Sequence, residues 1–193
     1  TSLIWIEKIN HPVEPKGGIR LSSVYQLQPF ELALKDTIRI GIRYSNHIKN
    51  MKNISLYYYN QKDGWTFLPS SMHSNRQVIA STLFSLDAIT IMQDIEPPFI
   101  RKVYPENGGK FHYKDLKTIS IIADDYLSGL NSNEKSMEIK LDGLTVRFAF
   151  QPIKKELSYY LPTPLDAGEH TIEYKISDLA GNTVSGLSTF LVD

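Results

Sequence analysis

The chain reads as all-β, two consecutive β-sandwich domains over residues 1–96 and 97–193. Three observations predict this. Apolar and polar residues alternate with period two in short runs, most clearly from Thr37 to Tyr44, where Ile38, Ile40, Ile42 and Tyr44 share one face. Turn signals rich in Gly, Asp and Asn separate such runs at roughly eight to twelve residues. No segment carries the periodicity of an amphipathic helix.

In the first half, Ile19-Arg20-Leu21 and Val24-Tyr25-Gln26-Leu27 form an opening pair of strands. The run Ile54 to Asn60 is a strand, turned by Lys62-Asp63-Gly64 and answered by Trp65-Thr66-Phe67-Leu68. Gln77 to Ser81 and Ala88 to Met92 add two more. The boundary falls at Asp94-Ile95-Glu96-Pro97-Pro98. Consecutive prolines donate nothing to a ladder and favour extended backbone, so this reads as a short, stiff linker. Strands resume at Phe99 to Val103. After the loop Pro105 to Gly109 come Ile119 to Ala123, Met137 to Leu141, Thr145 to Phe150, Leu157 to Leu161, His170 to Ser177 and Ser188 to Val192. Leu141-Asp142-Gly143 is a hairpin signal. Asp124-Asp125-Tyr126-Leu127-Ser128-Gly129 and Asp178-Leu179-Ala180-Gly181-Asn182 are acidic turns, each following an apolar strand.

Composition narrows the function classes. An apolar share of 41% with 11% aromatics is that of a folded chain. Twenty-one basic and 21 acidic side chains cancel, which leaves no excess charge to bind a nucleic acid and no polybasic stripe for an anionic membrane. Cysteine is absent, which excludes disulfides and thiolate metal sites and is compatible with export. No apolar run is long enough to cross a bilayer, so membrane insertion is not expected. The start, Thr1-Ser2-Leu3-Ile4-Trp5, has no basic leader or cleavage signal, and the expectation is a mature piece or fragment of something longer.

The second half resembles bacterial immunoglobulin-like domains over nearly all its length. The matching elements are Pro97-Pro98-Phe99-Ile100, Pro105-Glu106-Asn107-Gly108, the acids Asp124 and Asp125 with Ser128-Gly129, Leu141-Asp142-Gly143, Leu165 to His170, and Asp178 to Asn182. The fold implied is an immunoglobulin-like or fibronectin-III-like sandwich. The first half is similar to the β-rich module that often precedes such a domain, through Ser23 to Pro29, Ile38 to Tyr44 and Asp63 to Pro69. Tandem arrangements of this kind occur as non-catalytic tails of secreted bacterial proteins, including some lysostaphin-like cell-wall metallopeptidases. The resemblance implies a secreted, periplasmic or cell-surface setting.

Two candidate sites stand out. In an immunoglobulin-like sandwich the loops after the second and sixth strands lie at the same end. That brings Asp124 and Asp125 toward Asp178 and Asn182, oxygen donors of the kind calcium prefers. The competing reading is that each Asp accepts N–H bonds within its own turn, with Gly129 and Gly181 at positive φ, and that Asp178 and Asn182 brace a tight turn. The second candidate is an aromatic platform for a glycan or a protein. Tyr57 and Tyr59 share one side of their strand, with Trp65 close by. Its alternative is that these rings are core or ordinary cross-strand partners. Tyr159-Tyr160 invites the same pair of readings.

The five histidines are scattered without zinc-binding spacing, and His170 is read as satisfying a local hydrogen bond. Nucleophile elbows, phosphate loops and dinucleotide fingerprints are absent from the sequence, so catalysis is not expected. The function expected is that of a non-catalytic spacer or cap in an exported bacterial protein, with other domains of the same polypeptide as its partners. The alternative is a module that binds cell-wall glycan or a surface protein through Tyr57, Tyr59 and Trp65 or through the acidic rim.

Overall fold

The computed structural model of the protein describes residues 3–30, 32–48 and 50–193. Thr1 and Ser2, on which the reading of the chain start rests in part, lie outside the described residues. The chain divides into two compact units, Thr1–Glu96 with Tyr126–Ser128, and Pro97–Asp125 with Gly129–Asp193.

The first unit contains β1 (Trp5–Ile9), β2 (Gly18–Arg20), β3 (Val24–Gln28), β4 (Ile38–Arg43), β5 (Ile54–Asn60), β6 (Gly64–Leu68), β7 (Ser71–His73), β8 (Val78–Leu83) and β9 (Ala88–Asp94). One sheet runs β1-β3-β9-β5-β6, with β2 also paired to β9; a smaller sheet runs β4-β8-β7. Every pairing is antiparallel. The core joins Leu27, Leu56, Ile89 and Ile91 of the larger sheet to Ile42, Ile79 and Leu83 of the smaller one. A second buried cluster, with Val24, Tyr57, Trp65 and Met92, lies on the other face of the larger sheet. That sheet is therefore buried on both sides, and its strands do not alternate cleanly between water and core.

Strand β1 has no counterpart in the sequence reading. Four of its five side chains are exposed and it pairs only with β3 among the strands, so it is an edge strand with no buried stripe to betray it.

The second unit contains β10 (Phe99–Tyr104), β11 (Lys110–Phe111), β12 (Thr118–Asp124), β13 (Met137–Leu141), β14 (Leu144–Thr145), β15 (Ala149–Gln151), β16 (Glu156–Tyr160), β17 (Gly168–Ser177) and β18 (Thr183–Val192). Its sheets run β10-β12-β16-β15 and β11-β18-β17-β13-β14. In chain order this is the layout of an immunoglobulin-like sandwich, with strands A, B, E and D in one sheet and C, F and G in the other. Ile119, Ile121, Ile139, Leu157, Ile172, Ile176 and Phe190 interdigitate between the sheets. Each contributes about 1.5–3 kcal/mol by leaving water.

Two local features complete the unit. Asp142 (φ 51°) and Gly143 (φ 78°) form the two-residue turn joining β13 to β14, and both positive angles match the hairpin geometry that Asp-Gly favours. The single strand expected from Thr145 to Phe150 is instead two. β14 pairs with β13 in one sheet and β15 with β16 in the other, while residues 146–148 cross between them. Alternation continues unbroken through Val146, Phe148 and Phe150, all partly buried against the core, so periodicity cannot reveal the change of sheet.

Candidate functional site

The acidic turns of the second unit lie at one end of the sandwich, after β12 and β17. Asp124, the last residue of β12, is buried, and its two carboxylate oxygens are clasped separately by Arg101 and Lys155. Burial pushes its carboxyl up, but the Lys155 hydrogen bond, the N–H of Asp125 and the two positive charges outweigh that and hold it below the ordinary carboxylate range.

Asp178 follows β17 and is 0% exposed. Its Oδ1 accepts the N–H groups of Gly181 and Asn182 at 2.6 and 2.8 Å, and its Oδ2 accepts the Asn182 side-chain amide at 2.8 Å. Gly181 takes φ 99°, the conformation that lets this turn close on the carboxylate. Asp125 Oδ1 accepts the Gly129 N–H at 2.7 Å, and Gly129 sits at φ 82°. The two loops are laced by backbone: Leu179 N–H donates to Gly129 O at 2.9 Å, and Leu130 bridges Asp178.

Of the four residues expected around calcium, the structure brings three together. Asp125 and Asp178 present carboxylate oxygens within 4.8 Å of each other, and Asn182 is bonded to Asp178. Asp124 is not among them; its carboxylate pairs with Arg101 and Lys155. Burial raises the Asp178 carboxyl above its ordinary value, and the neighbouring charge of Asp125 pushes the same way against the turn's hydrogen bonds. Both oxygens of Asp178 are already occupied by N–H donors. Calcium, by contrast, wants six to eight oxygens in open geometry.

Two of the three rings expected to form an aromatic platform are buried, and the third is partly open. Tyr57 is 0% exposed and Trp65 is 7% exposed, because the second face of the larger sheet is itself covered. Tyr57 meets Phe67 edge-on at 5.6 Å, and the Trp65 indole N–H donates to Val13 O at 2.8 Å. Tyr59 alone of the three is partly open. His11 packs on it, with ring centroids 4.2 Å apart, and lies 4.9 Å from Trp65. Burial lowers the pKa of His11 below the usual imidazole value. Nothing in the sequence around His11 marks this contact, which depends on how the chain returns after β1. In β16, Tyr159 packs on the core and Tyr160 is 72% exposed, as a strand's alternation demands.

His170 makes the local bond expected of it, to Asp166, and a second, long-range one to Asp142. Nδ1 lies 2.8 Å from Asp142 Oδ2, and Nε2 lies 2.9 Å from Asp166 O. Burial works to lower its pKa, but these two acceptors outweigh it and raise the pKa above the usual imidazole value. With both nitrogens engaged the ring is not free to take a proton from a nucleophile. It staples the β13–β14 turn to the segment before β17.

Comparison with known proteins finds no matching family model and no matching curated protein. Among solved structures the chain is similar to CopC from Methylosinus trichosporium OB3b, at 20% identity and a TM-score of 0.41 over 50% of this chain and 93% of that one. It is similar to PcoC, a methionine-rich copper resistance protein from Escherichia coli, at 16% identity and 0.40 over 51% and 100%. Immunoglobulin domains 1–5 of Sidekick-1 align at 14% identity and 0.30 over the whole chain and 40% of that protein. Similarity of this order says nothing of a ligand or an activity.

Proposed function

We propose that this chain is a non-catalytic structural module of an exported bacterial protein, holding or capping a functional domain of the same polypeptide. The likeness to the tails of lysostaphin-like cell-wall metallopeptidases belongs to this reading, as do the extracytoplasmic setting and the lack of a resident metal. Among the described residues no helix is long and apolar enough to cross a membrane.

One observation supports the mechanical role most. In the second unit β11 runs parallel to β18, with Lys110 opposite Leu191 and Phe111 opposite Val192. Backbone bonds extend the seam: Gly108 N–H to Thr189 O at 2.7 Å, Leu191 N–H to Gly109 O at 2.9 Å, and Asp193 N–H to Phe111 O at 3.0 Å. Tension between the start and the end of this unit draws parallel neighbours in opposite directions. The bonds are then loaded in shear and must fail together, whereas an antiparallel hairpin pulled at its open end fails one bond at a time.

The absence of cysteine makes the test clean, because pairs of engineered cysteines can serve as handles. Pulling the full chain from positions 97 and 193 should require a force several-fold higher than pulling from 168 and 193, which opens the β17–β18 ladder from its end. Equal forces in the two geometries contradict the reading. So does any turnover of peptidoglycan or a protein substrate by the purified chain.

A further inference from the structure

Within the first unit, β9 starts at Ala88, opposite Gln26 of β3, while β3 runs on to Gln28 and β5 runs past Tyr58 to Asn60. The sheet therefore has a notch where its central strand is missing. A cleft of about 510 Å³ opens there, within the range of small-ligand sites.

The walls of the notch have a definite chemistry. Tyr59, His11 and the half-exposed Phe30 supply aromatic surface. Gln26, Gln61 and Asp87 supply polar groups. Among the described residues no lysine or arginine lines the cleft, which leaves little attraction for a phosphate or sulfate. Polar groups on several sides make it a poor seat for a lipid chain.

Two of these groups are held in place. The Gln26 amide donates to Leu27 O at 3.1 Å and Leu86 O at 2.8 Å, which fixes the side chain and leaves its oxygen as an acceptor. The Ser85 hydroxyl donates to the Asp87 carboxylate. His11 Nδ1 accepts the Val13 N–H at 3.3 Å, so in the neutral ring the proton sits on Nε2 as a donor. Among the described residues the Tyr59 hydroxyl and the Gln61 amide make no hydrogen bond within the chain. Fixed acceptors and spare donors around aromatic rings match a ligand that presents apolar C–H faces and uncharged hydroxyls together.

We propose that this notch is a binding site for an uncharged glycan chain, with a sugar ring against Tyr59 and Phe30 and its hydroxyls on Gln26, Gln61 and Asp87. The proposal goes beyond the scaffold role, which stands whether or not the notch is occupied.

The test is a titration of the full chain, followed by amide resonances, with cellohexaose, chitohexaose and maltohexaose, each to about 5 mM, since a dissociation constant near 1 mM or tighter saturates there. At least one should give saturable shifts at residues 26, 30, 59–61 and 85–88. Phe30→Ala and Gln61→Ala, at exposed positions that leave folding intact, should each weaken it about fivefold, and Tyr59→Ala more than tenfold. Absence of saturable shifts at these residues with all three sugars overturns the proposal, as does binding that the Phe30 and Gln61 variants leave unchanged. A heparin hexasaccharide or a mixed-sequence peptide occupying the notch in place of the neutral sugars also overturns it.

Discussion

Strands β5 and β13 carry similar apolar content and behave differently. In β13, Met137, Ile139 and Leu141 are buried while Glu138 and Lys140 face outward, so burial alternates along the whole strand. In β5, Ser55, Leu56 and Tyr57 are buried in succession. Leu56 enters one cluster and Tyr57 the other. Ser55 is tolerated beside them because its hydroxyl donates to Leu68 O at 3.0 Å and lies 2.6 Å from the Ser70 hydroxyl. A sheet with one wet face announces its orientation in the sequence. A sheet with both faces covered does not, and aromatic residues on it look like a surface when they are core.

The sharpest way to break this contrast is to truncate Tyr57. Tyr57→Ala should cost about 3–5 kcal/mol, because a large fully buried ring leaves a cavity. The exposed Tyr160 offers the control, and Tyr160→Ala should change stability by less than about 0.5 kcal/mol. Both tryptophans, Trp5 and Trp65, lie in the first unit, so tryptophan fluorescence during urea unfolding isolates it, while circular dichroism follows the whole chain.

Next in size is the turn after β17. Asp178→Ala should destabilise the second unit by about 2–4 kcal/mol, since it strips acceptors from two backbone N–H groups and one side-chain amide in a buried site. A loss below about 0.5 kcal/mol in chemical denaturation would show that the turn does not depend on its carboxylate.

Smaller effects should appear as pH dependence. Asp124 titrates below its unfolded value near 3.8, so its contribution is fully present above that pH and fades as pH falls through the folded value. Asp124→Asn should lower stability at pH 7 and flatten the acid limb below about pH 4. His170 runs the other way. Its folded pKa lies above the unfolded value of 6.5, so its contribution is complete below 6.5 and is lost as pH rises through the folded value. The thermal midpoint of the second unit should therefore drift down from about pH 6.5 upward, and His170→Gln should remove that drift.

The legible parts of the molecule were those governed by local rules. The Asp142-Gly143 turn, the positive φ of Gly129 and Gly181, and the strands on either side follow from residue chemistry within a few positions. The bracing of Asp178 by Asn182 was one of two readings the sequence allowed for that turn. What stayed hidden depends on distant chain. The Arg101 and Lys155 clasp joins residues 23 and 31 positions from Asp124. The approach of His11 to Tyr59, the notch left by β9 and the two-residue strand β11 likewise have no local signature.

We propose that the conspicuous acids of this chain maintain its fold and serve no resident metal. Thermal unfolding of the full chain in about 5 mM calcium and in chelator, with Asp178→Ala alongside, tests it most directly, because a ligand bound to the folded state raises stability by about 2.7 kcal/mol at a hundredfold excess over its dissociation constant. One midpoint is expected in both solutions, with a lower midpoint for Asp178→Ala that is equally blind to calcium. A rise of several degrees in calcium that Asp178→Ala abolishes would contradict the proposal and make the acidic rim a metal site.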